Sequence, residues 1–208
     1  MVYYRIMIPE NFLIKEYLTN KYSATQIARK LECSPSKVTY WLQKYNIQKR
    51  SISDAIYIKS NPAGDPFKTQ KQKTDEDWFL LGMGLGLYWG EGTKANKHSV
   101  RLGNTDPKLI LMFLKFLNVT YKINKTKLHF GLQIFSDMDP KDALSFWCEE
   151  LQVSKEQFQK VIVTPSRGAG TYRNKTQHGV LTVYFNNKKL RDIIVGAITK
   201  LQKEAKPS

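Results

Sequence analysis

Only two cysteines, Cys33 and Cys148, occur in 208 residues. They are too few for a disulfide framework or a thiolate zinc cluster, and they fit a reducing compartment. Long apolar runs are also missing. The uncharged run Phe79 to Trp89 has 11 residues, whereas a bilayer span takes about 20. It predicts a buried helix and no membrane partner. The opening Met1-Val2-Tyr3-Tyr4-Arg5 lacks the apolar core of a signal peptide, so a cytoplasmic location is expected, nucleoid-associated in a bacterial or archaeal host. Acidic residues are scarce: 18 Asp+Glu stand against 33 Lys+Arg, a formal charge of +15. Such a field favours polyanions, nucleic acid above all. Residues 1–52 hold nine Lys/Arg and three Asp/Glu, so both halves of the chain are basic. No phosphate-binding glycine loop occurs, and no nucleotide cofactor is expected.

The length suits two small domains, each with its own core. From Asn11 to Asn20, Leu13, Ile14, Tyr17 and Leu18 have the spacing that lines one side of a helix. Ser23 caps a second helix with Ile27, Ala28 and Leu31 at helical spacing, and Glu32-Cys33 makes a short connection. Ser34 caps a third, with Pro35 in its first turn, where a missing N–H costs nothing. This helix, Pro35 to Tyr45, buries Val38, Trp41 and Leu42 and offers Ser36, Lys37, Thr39, Tyr40, Gln43 and Lys44 on its other face. Three short helices with a tight turn before the last resemble the helix-turn-helix family. The resemblance implies that the third helix enters a major groove, with Lys and Gln suited to base edges and Ser, Thr and Tyr to phosphates. Residues 1–52 are therefore expected to form a helix-turn-helix DNA-binding domain. Residues 53–73 contain Asn61-Pro62-Ala63-Gly64-Asp65-Pro66 and the lysines of Lys68 to Lys73, and predict a basic linker. The second domain is expected over 74–208.

Trp78 to Gly92 predicts one helix, capped by Thr74 or Asp75, with glycines at 82, 86 and 90. Each glycine costs a helix about 1 kcal/mol relative to alanine, so three on one stripe need a reason. Close approach of a partner helix supplies one. Glu91 stands at the helix's C-terminal end, where the dipole disfavours negative charge and a cation would offset it. Gly84 to Gly92, ending in Gly90-Glu91-Gly92, resembles the nine-residue signature of the LAGLIDADG homing endonucleases. In that family two signature helices pack together and each delivers one acid to metal sites beneath the DNA. The resemblance implies that Glu91 is the catalytic acid and metal ligand, with Glu in place of the family's usual Asp. It also implies that the Gly90 carbonyl is a ligand and that Mg²⁺ or Mn²⁺ is the cofactor. Trp89 departs from the pattern, because the family often has another acid there.

Lys97 to Leu102 alternates as a strand with Val100 and Leu102 inward and Lys97, Ser99 and Arg101 outward, and Lys127 to Ile134 alternates more cleanly. Helices are predicted from Asp106-Pro107, from Asp139-Pro140 and over Asn187 to Lys203, and strands over Val161 to Thr164 and Gly179 to Phe185. The fold class expected is α+β, with helices on one face of an antiparallel sheet. The family's saddle-shaped sheet implies outward DNA contacts from Arg101, Lys127, His129 and Gln133; an ordinary solvated face is the plainer reading of any one of them. The long basic loop Ser166 to His178 offers Arg167 and Arg173 as DNA contacts, and the family resemblance implies Lys175 as the basic catalytic residue found near family active sites.

One signature per chain implies a homodimer in which two Gly82/Gly86/Gly90 stripes meet, acting on roughly palindromic double-stranded DNA. The leading expectation is a metal-dependent, site-specific double-strand DNA endonuclease. The alternatives are a DNA-binding regulator that keeps the fold without cleavage and an RNA-binding maturase. Motifs of the His-Asn-His and GIY-YIG nucleases do not occur.

Overall fold

The computed structural model describes residues 7–166 and 177–205. The chain divides into two compact units, Met1–Asp65 and Pro66–Ser208.

In the first unit, α1 (Glu10–Leu13) runs into a π-helical stretch, Ile14–Thr19, followed by α2 (Ala24–Lys30), α3 (Pro35–Lys44) and α4 (Ile52–Ser60). Ser23 closes a capping box at α2: its Oγ accepts from the Gln26 amide at 3.2 Å while Gln26 Oε1 accepts from the Ser23 amide at 2.8 Å. Ser34 caps α3, with Pro35 in the first turn. Ile8, Leu13, Tyr17, Ile27, Ala28, Val38, Trp41, Leu42 and Ile47 form the core.

The first helix departs from its expected stripe. Ile14 and Leu18 are exposed, while Glu16 turns inward. A π-turn holds more residues than an α-turn, so the face beyond Leu13 rotates. Glu16 then accepts from Lys30 Nζ at 2.6 Å and from Asn20 Nδ2 at 2.9 Å. The Lys30 ammonium is the main reason that its carboxyl lies below the usual range. Arg50 ties the unit's far end back, donating to the carbonyls of Tyr17, Lys21 and Tyr22.

Residues 53–73, expected as linker, hold two kinds of structure. Most of α4 lies there, capped by Ser51 and burying none of its residues. From Pro66 the chain docks on the second unit: Phe67 is in that unit's core, Lys68 N donates to Tyr121 O at 2.7 Å, and Gln70 N donates to Thr120 O at 2.8 Å.

The second unit runs α5 (Asp75–Glu91), β1 (Val100–Asn104), α6 (Pro107–Tyr121), β2 (Leu128–Phe135), α7 (Pro140–Leu151), β3 (Ile162–Thr164), β4 (Val180–Phe185) and α8 (Lys188–Glu204). It is α+β, with a four-stranded sheet in the order β1-β4-β2-β3. The pairs β1/β4 and β4/β2 are antiparallel, whereas β3 lies parallel to β2. The wholly antiparallel sheet expected from the sequence is thus corrected at this edge. The 12-residue α7 makes the difference, because a helical crossover returns the chain in the direction it left.

One sheet face is buried. Val100, Leu102, Leu128, Phe130, Leu132, Ile134, Leu181, Val183 and Phe185 pack into one cluster with residues of all four helices, among them Leu85, Tyr88, Phe113, Trp147 and Ile194. Alternation along β1, β2 and β4 leaves the other face open to solvent.

Candidate nucleic-acid interface

Helix α5 begins at a second capping box. Thr74 Oγ1 accepts from the Asp77 amide at 3.2 Å, and Asp77 Oδ2 accepts from the amides of Lys73 and Thr74. Those two amides hold the Asp77 carboxyl below its usual range. The helix is apolar on two sides. Its inner side packs on α6, and Gly84 is the point of closest approach: an added Cβ would lie 2.0 Å from Phe116 Cγ. The outer side carries Gly82, Gly86 and Gly90, and an added Cβ at any of them meets nothing within 4 Å. Phe79, Met83 and Trp89 are exposed around that stripe. The expectation that Phe79 to Trp89 is a buried helix therefore holds for one side only within a single chain.

Glu91 ends α5, exposed to solvent. The Gly92 amide donates to Tyr88 O, and Lys94 Nζ donates to Trp89 O. The Gly90 carbonyl lies past the last intrahelical donor, beside the Glu91 carboxylate in sequence. A carboxylate and a free carbonyl are the hard oxygen donors that Mg²⁺ prefers. Among the described residues no cluster of three or more His, Cys, Asp or Glu that could hold a metal ion exists. The segment after Glu91 joins the sheet directly: Gly92 bridges to Leu102, and Thr93 N donates to Arg101 O at 2.9 Å.

The open sheet face has a definite pattern. Arg101 pairs with Tyr184, which pairs in turn with His129; one step along, Gly103 and Gly131 flank Thr182. The two glycines make a low floor. At Gly131 an added Cβ would meet the Tyr184 ring at 2.8 Å, so that ring lies down over the glycine. The Arg101 guanidinium carbon stands 5.0 Å from the Tyr184 ring centroid, and its Nε donates to Ser99 Oγ at 2.7 Å. Ser99 is buried, which corrects its expected outward orientation. Asn96 is the cause: its Oδ1 accepts from the amides of His98 and Ser99 and from the Ser99 hydroxyl, folding residues 96–99 into a turn before β1.

His129 and Gln133 lie on the open face as expected, His129 half-buried and Gln133 exposed. Lys127 is exposed but belongs to the turn Lys125–Lys127 before β2. β3 and β4 run antiparallel to each other on either side of β2, so Thr164 and Val180 both lie near β2's C-terminal end. Arg167, Arg173 and Lys175, expected from the connecting loop, lie outside the described residues. Beyond that loop Trp147 Nε1 donates to His178 O at 2.8 Å, and the His178 ring stacks on Phe146.

In the first unit, Ser36, Tyr40, Gln43 and Lys44 are exposed on α3, with Lys37 and Thr39 half-buried at its flanks. Lys44 Nζ sits 4.7 Å over the Trp41 ring.

Three contributors escaped the sequence reading. Thr182 and Tyr184 carried a signal, since they alternate with the buried Leu181, Val183 and Phe185. Lys94 carried another, as a cation just past a helix C-terminus.

No protein-family model, no curated protein and no solved structure matches this chain. No helix among the described residues is long and apolar enough to cross a membrane.

Proposed function

We propose that this protein is a site-specific double-strand DNA endonuclease of LAGLIDADG type that acts as a homodimer, with α2 and α3 as an added helix-turn-helix module. The observation that carries this reading is the open side of α5, where an unfilled glycine stripe ends at the exposed Glu91. A helix that is apolar on both sides requires burial on both, and three glycines on one side suit close backbone contact with an identical helix. Pairing two copies of α5 would bring two Glu91 carboxylates toward one axis and set two open sheet faces over one DNA duplex.

In this reading Glu91 and the Gly90 carbonyl hold a divalent cation, which when bound polarises the scissile phosphate and activates water. Lys94 neutralises the carbonyl end of α5 and keeps the strand after Glu91 in place. Arg101, His129 and Gln133 face the grooves from the sheet, while the α3 residues add contacts farther along the site. The basic balance of the chain supplies the sequence-independent part of binding.

A second reading is a DNA-binding regulator without cleavage, and the side chain at 89 favours it. Trp89 is an exposed indole with no metal-ligating atom, two residues before Glu91, the acid at the helix's C-terminal end.

Cleavage of a plasmid library with Mg²⁺ or Mn²⁺, wild type against Glu91→Gln at equal DNA occupancy, tests the proposal. Specific cutting by the wild type that disappears in the variant is the expected result. Specific binding by both proteins with cutting by neither would replace the endonuclease with the regulator.

A further inference from the structure

Arg101 is held in a way that a phosphate contact does not require. Its Nε donates to Ser99 Oγ at 2.7 Å, and that hydroxyl donates onward to Asn96 Oδ1 at 3.0 Å. The Ser99 hydrogen is thereby directed to Asn96, leaving an oxygen lone pair for Arg101. Ser99 is buried, so the support is rigid. On its other side the guanidinium rests on Tyr184, whose ring is pressed down over Gly131. The Arg101 carbonyl is fixed as well, by the Thr93 amide. Nε is therefore committed and the head group is oriented, while its two terminal nitrogens remain for a ligand at the open face.

We infer that Arg101 is a base-reading residue that recognises guanine in the major groove through O6 and N7. The inference rests on the DNA-binding reading above and specifies what this position does within it. A planar two-pronged donor matches the two acceptors that guanine alone presents there. Phosphate binding sets a looser demand, which a flexible lysine meets equally well. Orientation by a buried hydroxyl and an aromatic ring acts on the plane of the fork, the quantity that bidentate pairing depends on. Tyr184 and Ser99 are positioning residues in this arrangement. Gly131 allows it by leaving room for the tyrosine ring.

The test is selection from a randomised duplex library with the full chain, followed by binding measurements across a salt series. For the wild type, the selected site contains a guanine preferred about tenfold or more over other bases at one position of each half-site. Arg101→Lys should erase the preference at that position while keeping the others. Tyr184→Leu should weaken the same preference, and 7-deazaguanine at that position should reproduce the loss with wild-type protein. Because Lys keeps the charge and the side chain at 101 is only half-buried, folding is not at issue in the first variant. Two results would overturn the inference alone: unchanged base preferences in Arg101→Lys, or an affinity lowered equally for all sequences. Failure of the wild type to bind duplex DNA would overturn the functional reading together with it.

Discussion

Gly84 and Gly86 are two residues apart on α5, yet a methyl group added at each would meet opposite surroundings: the Phe116 ring at 2.0 Å, and open space. On the inner side the glycine lets α6 approach, and the need for it is met within the chain. On the outer side the same residue type sits on an apolar face that no described residue covers. Glycine in a helix therefore has two distinct causes here, separated by about 160° to 200° of helical rotation. Only the inner one is fulfilled within the monomer.

The comparison can be broken most forcefully at Gly84. Gly84→Leu should abolish cooperative unfolding of the second unit, because the side chain has nowhere to go without displacing Phe116. Gly84→Ala should cost about 1–3 kcal/mol from overpacking, read as a lower denaturant midpoint. Wild-type stability in Gly84→Ala would show that the α5–α6 contact is looser than described. Gly86→Leu is the matching test on the outer side. It should leave thermal unfolding of the monomer nearly unchanged and halve the mass measured by light scattering at concentrations where the wild type is dimeric. An unchanged dimer mass would place the contact elsewhere.

A smaller effect sharpens the contrast between the two units. Glu16 is a buried carboxylate of the first unit, and its carboxyl is depressed below its ordinary value of 4.5, chiefly by Lys30. A depressed carboxyl stabilises the fold above the unfolded pKa and loses that contribution as pH falls through the folded one. The first unit should therefore weaken progressively on acidification below about pH 4.5. In Glu16→Gln, stability at neutral pH should be lower and this part of the acid dependence flatter. Tryptophan fluorescence of Trp41, with Trp78, Trp89 and Trp147 replaced by Phe, reports on that unit.

Most helix positions were legible from their caps, although α4, which Ser51 caps, falls largely in the stretch expected as linker. Ser23, Ser34, Thr74, Asp106, Asp139 and Asn187 all cap helices where the sequence placed them, because capping chemistry is local. Strand faces were equally readable in β2 and β4, where alternation is strict. The misses arise from non-local causes. Nothing within Asn11 to Asn20 reveals that Glu16 will turn toward a lysine 14 residues away. The direction of β3 depends on how α7 crosses over, which β3's own residues do not encode. Ser99 follows the period of β1 outward, but Asn96 captures it first. At the candidate site, Glu91 and the glycine stripe stood out as departures from helix propensity. Tyr184 did not, because a tyrosine in a strand is ordinary until its neighbour across the sheet proves to be glycine.

The docking of Pro66 to Gln70 bears on how the molecule can be taken apart. Phe67 fills the larger core, and the Pro66 carbonyl receives the Asn124 amide at 2.8 Å. A fragment cut at the start of α5 would lose an aromatic plug and uncover the carbonyls of Thr120 and Tyr121. The excisable piece begins eight or nine residues before its first helix, so these residues act as a clasp on the body that follows.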